Sequence, residues 1–300
     1  MRVVVTGGRG FVGRRLQIVQ PDWIYLSSKD FDLTEPDGCR ALFAELKPDA
    51  VIHLAARTGG IKESSTHQAE FFYNNIITGA NLVHAAYRAG VNRMLVALST
   101  CAWPDVVPQY PFTEDDLFAG RPAETNIGYG EAKRGLYVQA LTYRKQYGMD
   151  YSCFCPSNLY GPGDTFDPDR SHFVSALVRK VAEAKAGSTL EMWGTGKPLR
   201  QQLFVDDVCR AIPLLLEKHH SDVPIIVAPD ENLSIAEMCD MLISQVNKDL
   251  HVVFNNKLDG QFRKDGSNRK LRELLGNFEF TPFRDGVKQT YDWYTKETSR

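Results

Sequence analysis

The sequence predicts an α/β fold: a doubly wound parallel sheet with a smaller mixed α/β lobe toward the C-terminus. Three observations carry that prediction. Short β-branched runs alternate with helical stretches from the first residue onward. A glycine-rich turn closes the first strand and opens the first helix. After Gly161 the texture shifts to loops rich in Gly, Pro and Asp. Short apolar strands separated by helices bury both faces of a parallel sheet.

The elements follow in order. Residues 2–5 form a β-branched strand ending at Thr6-Gly7-Gly8, and residues 11–19 continue at helical spacing. Strands are expected over 23–26 and 50–54 (AVIHL). Residues 69–89 make a long helix with Phe72, Ile76, Ala80, Val83 and Tyr87 on one stripe. A fourth strand covers 94–98, a helix 129–147, and a fifth strand 151–155 stops at Pro156. In the second half a helix spans 173–186 and a short strand 189–193. LFVDDVCRAIPLLLE (203–217) reads as a strand and helix returning to the main sheet. Ser234 with Glu237 three residues on forms a capping box for a helix through Val246. A final amphipathic helix follows Thr281-Pro282-Phe283. The division expected is residues 1–160 with a return over 202–220 for the sheet domain, and 161–201 with 221–300 for the second lobe.

With 300 residues, 43% apolar, the chain has ample side chain for a core, which excludes a disordered protein. A net charge of −2 argues against a general nucleic-acid or anionic-membrane surface. No run reaches the roughly 18 apolar residues of a membrane span, and MRVVVTGG carries no apolar leader. The six cysteines (Cys39, Cys101, Cys153, Cys155, Cys209 and Cys239) form no CxxC pair, and no Cys/His cluster has zinc-ligand spacing. No metal site is expected. The expectation is a cytoplasmic protein with reduced thiols. Cys153 and Cys155 share one strand face and read as core, and His219-His220 as a solvated helix end.

TGGRGFVG sets Gly7, Gly10 and Gly13 as GxxGxxG between a strand and a helix. Gly7 permits the tight turn, Gly10 lets backbone approach a pyrophosphate, and Gly13 lets helix and sheet pack closely. The helix N-terminus adds N–H groups and a positive dipole for the anion. That combination makes the sheet Rossmann-type and predicts a dinucleotide. NAD binders usually carry Asp or Glu at the end of the second strand. Here that strand ends Leu26-Ser27-Ser28-Lys29, and Arg9 lies in the glycine turn. Hydroxyls and cations suit a 2′-phosphate, so the cofactor expected is NADP(H). Asp30 and Asp32 come slightly later, and Asp32 is placed on the adenine side. The candidate cofactor contacts are Gly7, Arg9, Gly10, Phe11, Val12, Gly13, Ser28, Lys29, Asp32, Leu54, Ala55, Ala56 and Lys133.

Tyr129 and Lys133 are spaced four apart on a helix and share a face. A neighbouring ammonium favours the phenolate and lowers the phenol pKa. Alone, such a pair is commonly a surface accident. Ser99 and Thr100, however, follow the fourth strand, where an open α/β sheet binds its ligands. The glycine triplet, Ser/Thr and YxxxK in that order resemble the extended short-chain dehydrogenase/reductases over essentially the whole chain. HLAARTGGI (53–61), LSTCAWP (98–104), YGEAK (129–133), PSNLYGPGDTF (156–166), SHF (171–173), WGTGKPLRQ (193–201) and KDGSNRKL (264–271) narrow the resemblance to the GDP-L-fucose synthase branch.

The resemblance implies a catalytic set of Ser99 (or Thr100), Cys101, Tyr129, Lys133 and His172. Cys101 and His172 would exchange protons on opposite faces of a sugar whose 4-keto group acidifies C3 and C5. Otherwise, a lone cysteine at a strand end is ordinarily a small buried hydrophobe, and a lone loop histidine a surface or capping group. Trp103 either walls the pocket or packs. The resemblance also implies that Arg200 reaches the diphosphate, with Trp193 near the base or ribose, and that Asn158 contacts substrate or nicotinamide; Arg179, Lys180 and Lys264 are further candidates, although most basic pairs are solvated faces. The reaction implied is NADPH-dependent C3/C5 epimerisation and C4 reduction of GDP-4-keto-6-deoxy-D-mannose, in a homodimer joined through the long helices. The alternative is a C4 reductase of a related GDP-4-keto sugar or heptose without full epimerase activity. A UDP-hexose 4-epimerase would want a second-strand carboxylate, and a non-catalytic regulator would have no use for Ser99, Tyr129 and Lys133.

Overall fold

The structure is a computed structural model in which residues 1–257, 259 and 261–299 are described, with backbone alone at 61 and 62. The first half runs β1 (Val3–Thr6), α1 (Phe11–Val19), β2 (Ile24–Leu26), α2 (Pro36–Leu46), β3 (Ala50–His53), α3 (Ile61–Thr66), α4 (Gln68–Arg88), β4 (Arg93–Ala97), α5 (Ile127–Tyr147) and β5 (Asp150–Pro156). The second half runs β6 (Asn158–Tyr160), α6 (Phe173–Glu183), β7 (Ser188–Met192), β8 (Leu199–Arg200), β9 (Gln202–Phe204), α7 (Val205–Lys218), β10 (Ile225–Val227), β11 (Leu233–Ser234), α8 (Ile235–Val246), β12 (Leu250–Phe254), β13 (Arg263–Lys264), α9 (Arg269–Leu275) and α10 (Phe283–Thr298).

Six strands form the main sheet in the order β10-β5-β4-β3-β1-β2. Every pairing in it is parallel. β1 and β3 are neighbours although the chain passes through β2 between them, so the order reverses at β1. Ligands of open α/β sheets bind at such a reversal, beyond the strand C-termini. Val3 to Thr6 are all buried, as are Ala50 to His53, because helices cover both faces. One core lies under α2, α4 and α5 (Leu42, Leu82, Met94, Leu136, Tyr151). The other lies under α1 and α7 (Leu16, Ile52, Leu95, Val208, Ile212). Arg15 clamps α1 to α7 through a bidentate pair with Asp206 at 2.8 and 2.7 Å.

Two sequence expectations need correction. Gln202–Phe204 does not return to the main sheet; it pairs with β6, and the strand that rejoins is β10, against β5. His219 is not solvated: it is 2% exposed, and its Nε2 lies 3.0 Å from the Cys153 carbonyl oxygen. Burial pushes that imidazole down to about 4. Only His220 stays exposed, 2.6 Å from Asp150. The second lobe has its own core of Tyr160, Leu177, Met192, Phe204, Met238 and Phe283. It contains β7 paired with β12, and the small sheet β11-β8-β13.

Candidate active site

β1 and β3 deliver the glycine turn and the HLAAR stretch side by side. Thr6 Oγ1 lies 2.8 Å from His53 Nδ1 and accepts from the Ala55 N–H at 3.3 Å. Gly7 has φ +71°, and a Cβ there would lie 2.7 Å from the Ala55 nitrogen. Only glycine reaches this turn without strain. At Gly13 a Cβ would meet the Gly7 and Gly8 carbonyl oxygens at 2.5 Å, so α1 starts hard against the turn. No side chain caps α1. Its first N–H groups are thus left for an anion, and the cradle fits a pyrophosphate.

At the β2 tip, Asp30 is turned inward on Ser27, accepting from its N–H and its hydroxyl, both at 2.7 Å. Asp32 accepts from the Thr34 N–H and hydroxyl at 2.9 and 2.6 Å. Both carboxylates are held low by these hydrogen bonds. They brace the turn into α2, leaving Arg9, Ser28 and Lys29 exposed at the tip. Leu54, Ala55 and Ala56 are half-buried beside the glycine turn.

Two residues beyond β4, Ser99 caps a short 3₁₀ turn over Thr100–Ala102 by accepting from the Cys101 N–H at 3.2 Å. α5 packs directly on this turn. A Cβ at Gly130 would sit 2.4 Å from the Cys101 carbonyl oxygen, so glycine beside Tyr129 sets the approach. Arg134, one turn on, donates to the Ala102 carbonyl at 2.6 Å and to the Gly120 carbonyl at 2.7 Å. Sequence reasoning missed Gly130 and Arg134; both stand within or next to the YGEAK motif. Trp103 is core: 2% exposed, stacked on Phe112, its indole N–H on the Thr113 carbonyl.

Lys133 is 3% exposed; its Nζ donates to the Ala97 carbonyl at 2.8 Å and lies 5.8 Å from the Tyr129 ring centroid. Burial pushes its ammonium down to about 8. At Tyr129 burial, not the lysine, sets the direction. Burial, with Cys101 adding to it, raises the phenol well above its ordinary range, and only Ser99 pulls the other way. Desolvation is the largest influence at Tyr129, and it favours the protonated phenol.

The thiols divide sharply. Burial pushes Cys39, Cys153, Cys209 and Cys239 up to about 12, and Cys155 well above its ordinary value. Cys153 and Cys155 lie in the core as expected. At Cys101 burial also raises the thiol, but the Lys264 ammonium and hydrogen bonds from Ser99 and Lys264 overcome it, and the net shift is downward. Lys264, expected in the nucleotide grip, thus has its Nζ 3.2 Å from the Cys101 sulfur.

His172 is exposed at the start of α6, and its side chain makes no capping hydrogen bond. Asp164, from the GPGD loop, accepts from the Ser175 hydroxyl and feels the His172 charge; burial raises its carboxyl. The loop composition concealed Asp164 from sequence reasoning.

In the second lobe Arg200 lies on β8, its pKa lowered by burial. Trp193 is 73% exposed just beyond β7. Asn158 is half-buried on β6. Arg179 pairs with Glu183 at 3.4 Å, and Lys180 donates to the Glu191 carbonyl at 2.8 Å. Those two cations are engaged within the lobe. Among the described residues no His/Cys/Asp/Glu group could hold a metal ion, and no helix is long and apolar enough to cross a membrane.

Residues 3–228 match the NAD dependent epimerase/dehydratase family. A probable GDP-L-fucose synthase from Drosophila melanogaster is 33% identical over 98% of this chain and 97% of its own length. The chain belongs to the GDP-L-fucose synthase family. The GDP-L-fucose synthase of Escherichia coli (strain K12) is 32% identical over 100% of the chain and 98% of the relative. Among solved structures, a GDP-L-fucose synthetase from Naegleria fowleri bound to NADP superposes with a TM-score of 0.90. It has 31% identity, covering 99% of this chain and 94% of that one. Membership of the GDP-L-fucose synthase family fits a site in which one cysteine out of six has a lowered pKa and stands beside the Tyr129–Lys133 pair.

Proposed function

We propose that this protein is an NADPH-dependent epimerase-reductase that converts GDP-4-keto-6-deoxy-D-mannose to GDP-L-fucose. The observation that carries the reading is the shared site: the Cys101 turn and Tyr129 are locked together by the Gly130 contact. The full-length kinship with GDP-L-fucose synthases supports the same substrate.

Gly7, Arg9, Gly10, Phe11, Val12 and Gly13 would hold NADPH, with Leu54 to Ala56 beside them and Lys133 for the nicotinamide ribose. Arg9, Ser28 and Lys29 would hold the 2′-phosphate. When bound, the reduced nicotinamide supplies the hydride for C4. The GDP sugar sits between the sheet domain and the second lobe, with Arg200 on the diphosphate, Trp193 near the base or ribose, and Asn158 toward the sugar.

Epimerisation comes first. Cys101 accepts a proton from a carbon next to the C4 carbonyl; the C–H bond breaks, an S–H bond forms, and the electron pair moves onto the carbonyl oxygen. His172 returns a proton from the opposite face and inverts that carbon. Two groups of tunable pKa on opposite faces suffice for this chemistry. Ser99 and Tyr129 then hydrogen-bond the C4 oxygen, and Tyr129 donates the proton that completes the alcohol. Its raised pKa suits a donor that must not ionise beforehand.

The protein works in the cytoplasm as a homodimer. Phe72 and Tyr73 on α4, with Val138 and Tyr147 on α5, are exposed apolar groups that a second copy covers. Light scattering at micromolar concentration reports the mass. The activity is tested by supplying NADPH and GDP-4-keto-6-deoxy-D-mannose. GDP-L-fucose, with one NADPH oxidised per sugar, is the expected product. A C4-reduced sugar that keeps its C3 and C5 configuration would make the protein a simple C4 reductase.

A further inference from the structure

We propose that Lys264 is a positioning residue for Cys101: its ammonium holds the sulfur as a thiolate in the site and makes Cys101 the proton acceptor of the Cys101–His172 pair. The inference rests on the function proposed above for the roles of Cys101 and His172.

The geometry is direct. Lys264 Nζ lies 3.2 Å from Cys101 Sγ, across 163 residues of sequence. Among the described residues Lys264 makes no ion pair with a carboxylate. Its neighbour Asp265 is occupied by Arg263, which grips it with two bonds at 2.6 and 2.9 Å. The Cys101 sulfur is therefore the group set against the ammonium.

The fold explains how the lysine arrives there. β13 pairs with β8 in parallel, with Lys264 opposite Arg200. Residues opposite each other in a ladder project to the same face. The small sheet thus sends two cations in one direction, one to the thiol and one toward the proposed diphosphate site. Lys264 is half-buried, which strengthens the ion pair over its value in open water.

The other groups around the sulfur do not do this work. The Tyr129 phenol from α5 is uncharged and, like Cys155 from β5, is coupled to Cys101 in the unfavourable sense. Ser99, on the same turn, contributes one hydrogen bond. At Cys101 the Lys264 ammonium, in direct contact with the sulfur, is the largest influence against burial; Cys155, which Lys264 also pulls down, stays high with the other buried thiols. A thiolate with an adjacent ammonium is the form that accepts a carbon-bound proton.

The test is the pH profile of Cys101 alkylation by iodoacetamide, read by mass spectrometry of the Cys101 peptide. Cys101 is only partly buried, whereas the other five cysteines are buried, so the reagent is selective. The whole folded protein is used as wild type, Lys264→Met and Lys264→Arg, with NADPH-binding fluorescence as the folding control. The wild-type midpoint is expected below that of an ordinary thiol, about 8.5. Lys264→Met is expected to raise it by about one unit or more, slowing alkylation at pH 7 about tenfold, and Lys264→Arg to restore it. A wild-type midpoint at or above the ordinary value overturns the proposal without any variant. So does an unchanged midpoint in folded Lys264→Met. Exchange of substrate C–H for solvent deuterium should slow in Lys264→Met and recover as pH rises. If wild type fails to turn over the GDP-4-keto sugar, the proposed function fails, while the alkylation profile still decides the role of Lys264.

Discussion

Gly130 presses against the carbonyl of Cys101, so closely that a methyl group there would come within 2.4 Å of the oxygen. The helix that carries Tyr129 and Lys133 is therefore seated on the turn that carries Ser99 and Cys101. The proton donor and the proton acceptor of the proposed reaction are held together by this close approach and by the bonds from Arg134 to the Ala102 carbonyl and from Lys133 to the Ala97 carbonyl. Because the obstacle is backbone and not a flexible side chain, Gly130→Ala must move α5 or the turn. We expect a loss of about 1–3 kcal/mol in denaturant unfolding. Activity is expected to fall further than stability explains, because small displacements of reacting groups are costly. Wild-type activity in Gly130→Ala would mean that the two elements are not rigidly seated.

Tyr129→Phe separates the two half-reactions. Hydride transfer, followed by NADPH absorbance, should drop by about 10²–10⁴ with loss of the proton donor. Solvent exchange at C3 and C5 should persist, since Cys101 and His172 are untouched. Full NADPH oxidation by this variant would remove Tyr129 from the donor role.

Cofactor choice is assigned to the cations at the β2 tip. Arg9→Ala should lower the preference for NADPH over NADH about tenfold, the scale of one charge-assisted hydrogen bond. The readout is the ratio of kcat/KM for the two cofactors. Asp32→Asn should leave that ratio unchanged, because the carboxylate is engaged with Thr34. An unchanged ratio in Arg9→Ala would place 2′-phosphate recognition elsewhere.

Acid sensitivity follows from His219. Folding lowers its pKa from the ordinary 6.5 to about 4. Between those values the unfolded chain binds the proton and the folded protein does not. Stability therefore rises with pH across this window and is lost as pH falls through it. One such group contributes a slope of about 1.4 kcal/mol per pH unit within the window. His53, lowered to about 3, acts in the same sense. Urea unfolding of His219→Gln between pH 4.5 and 6.5 should show a shallower dependence than wild type; equal slopes would contradict the assignment.

What the sequence revealed and what it concealed divide along locality. α1 over Phe11–Val19 and the Ser234–Glu237 capping box were legible to the residue, because turns and caps are set by neighbours a few positions apart. The glycine cradle and the Tyr129–Lys133 spacing were legible for the same reason. The partner of residues 202–204 was not, since parallel pairing joins strands distant in sequence. Nor was the burial of His219, the dominance of desolvation at Tyr129, or the meeting of Lys264 with Cys101. Each depends on what the tertiary fold packs around a group, and a titratable side chain carries no local mark of that.

The most direct test of the central claim is turnover in D2O. The protein, NADPH and GDP-4-keto-6-deoxy-D-mannose are combined and the product is examined by proton NMR. The account predicts GDP-L-fucose carrying deuterium at both C3 and C5, with protium from the unlabelled NADPH at C4. A C4-reduced product with protium retained at C3 and C5 would contradict it, leaving Cys101 and His172 without their assigned roles.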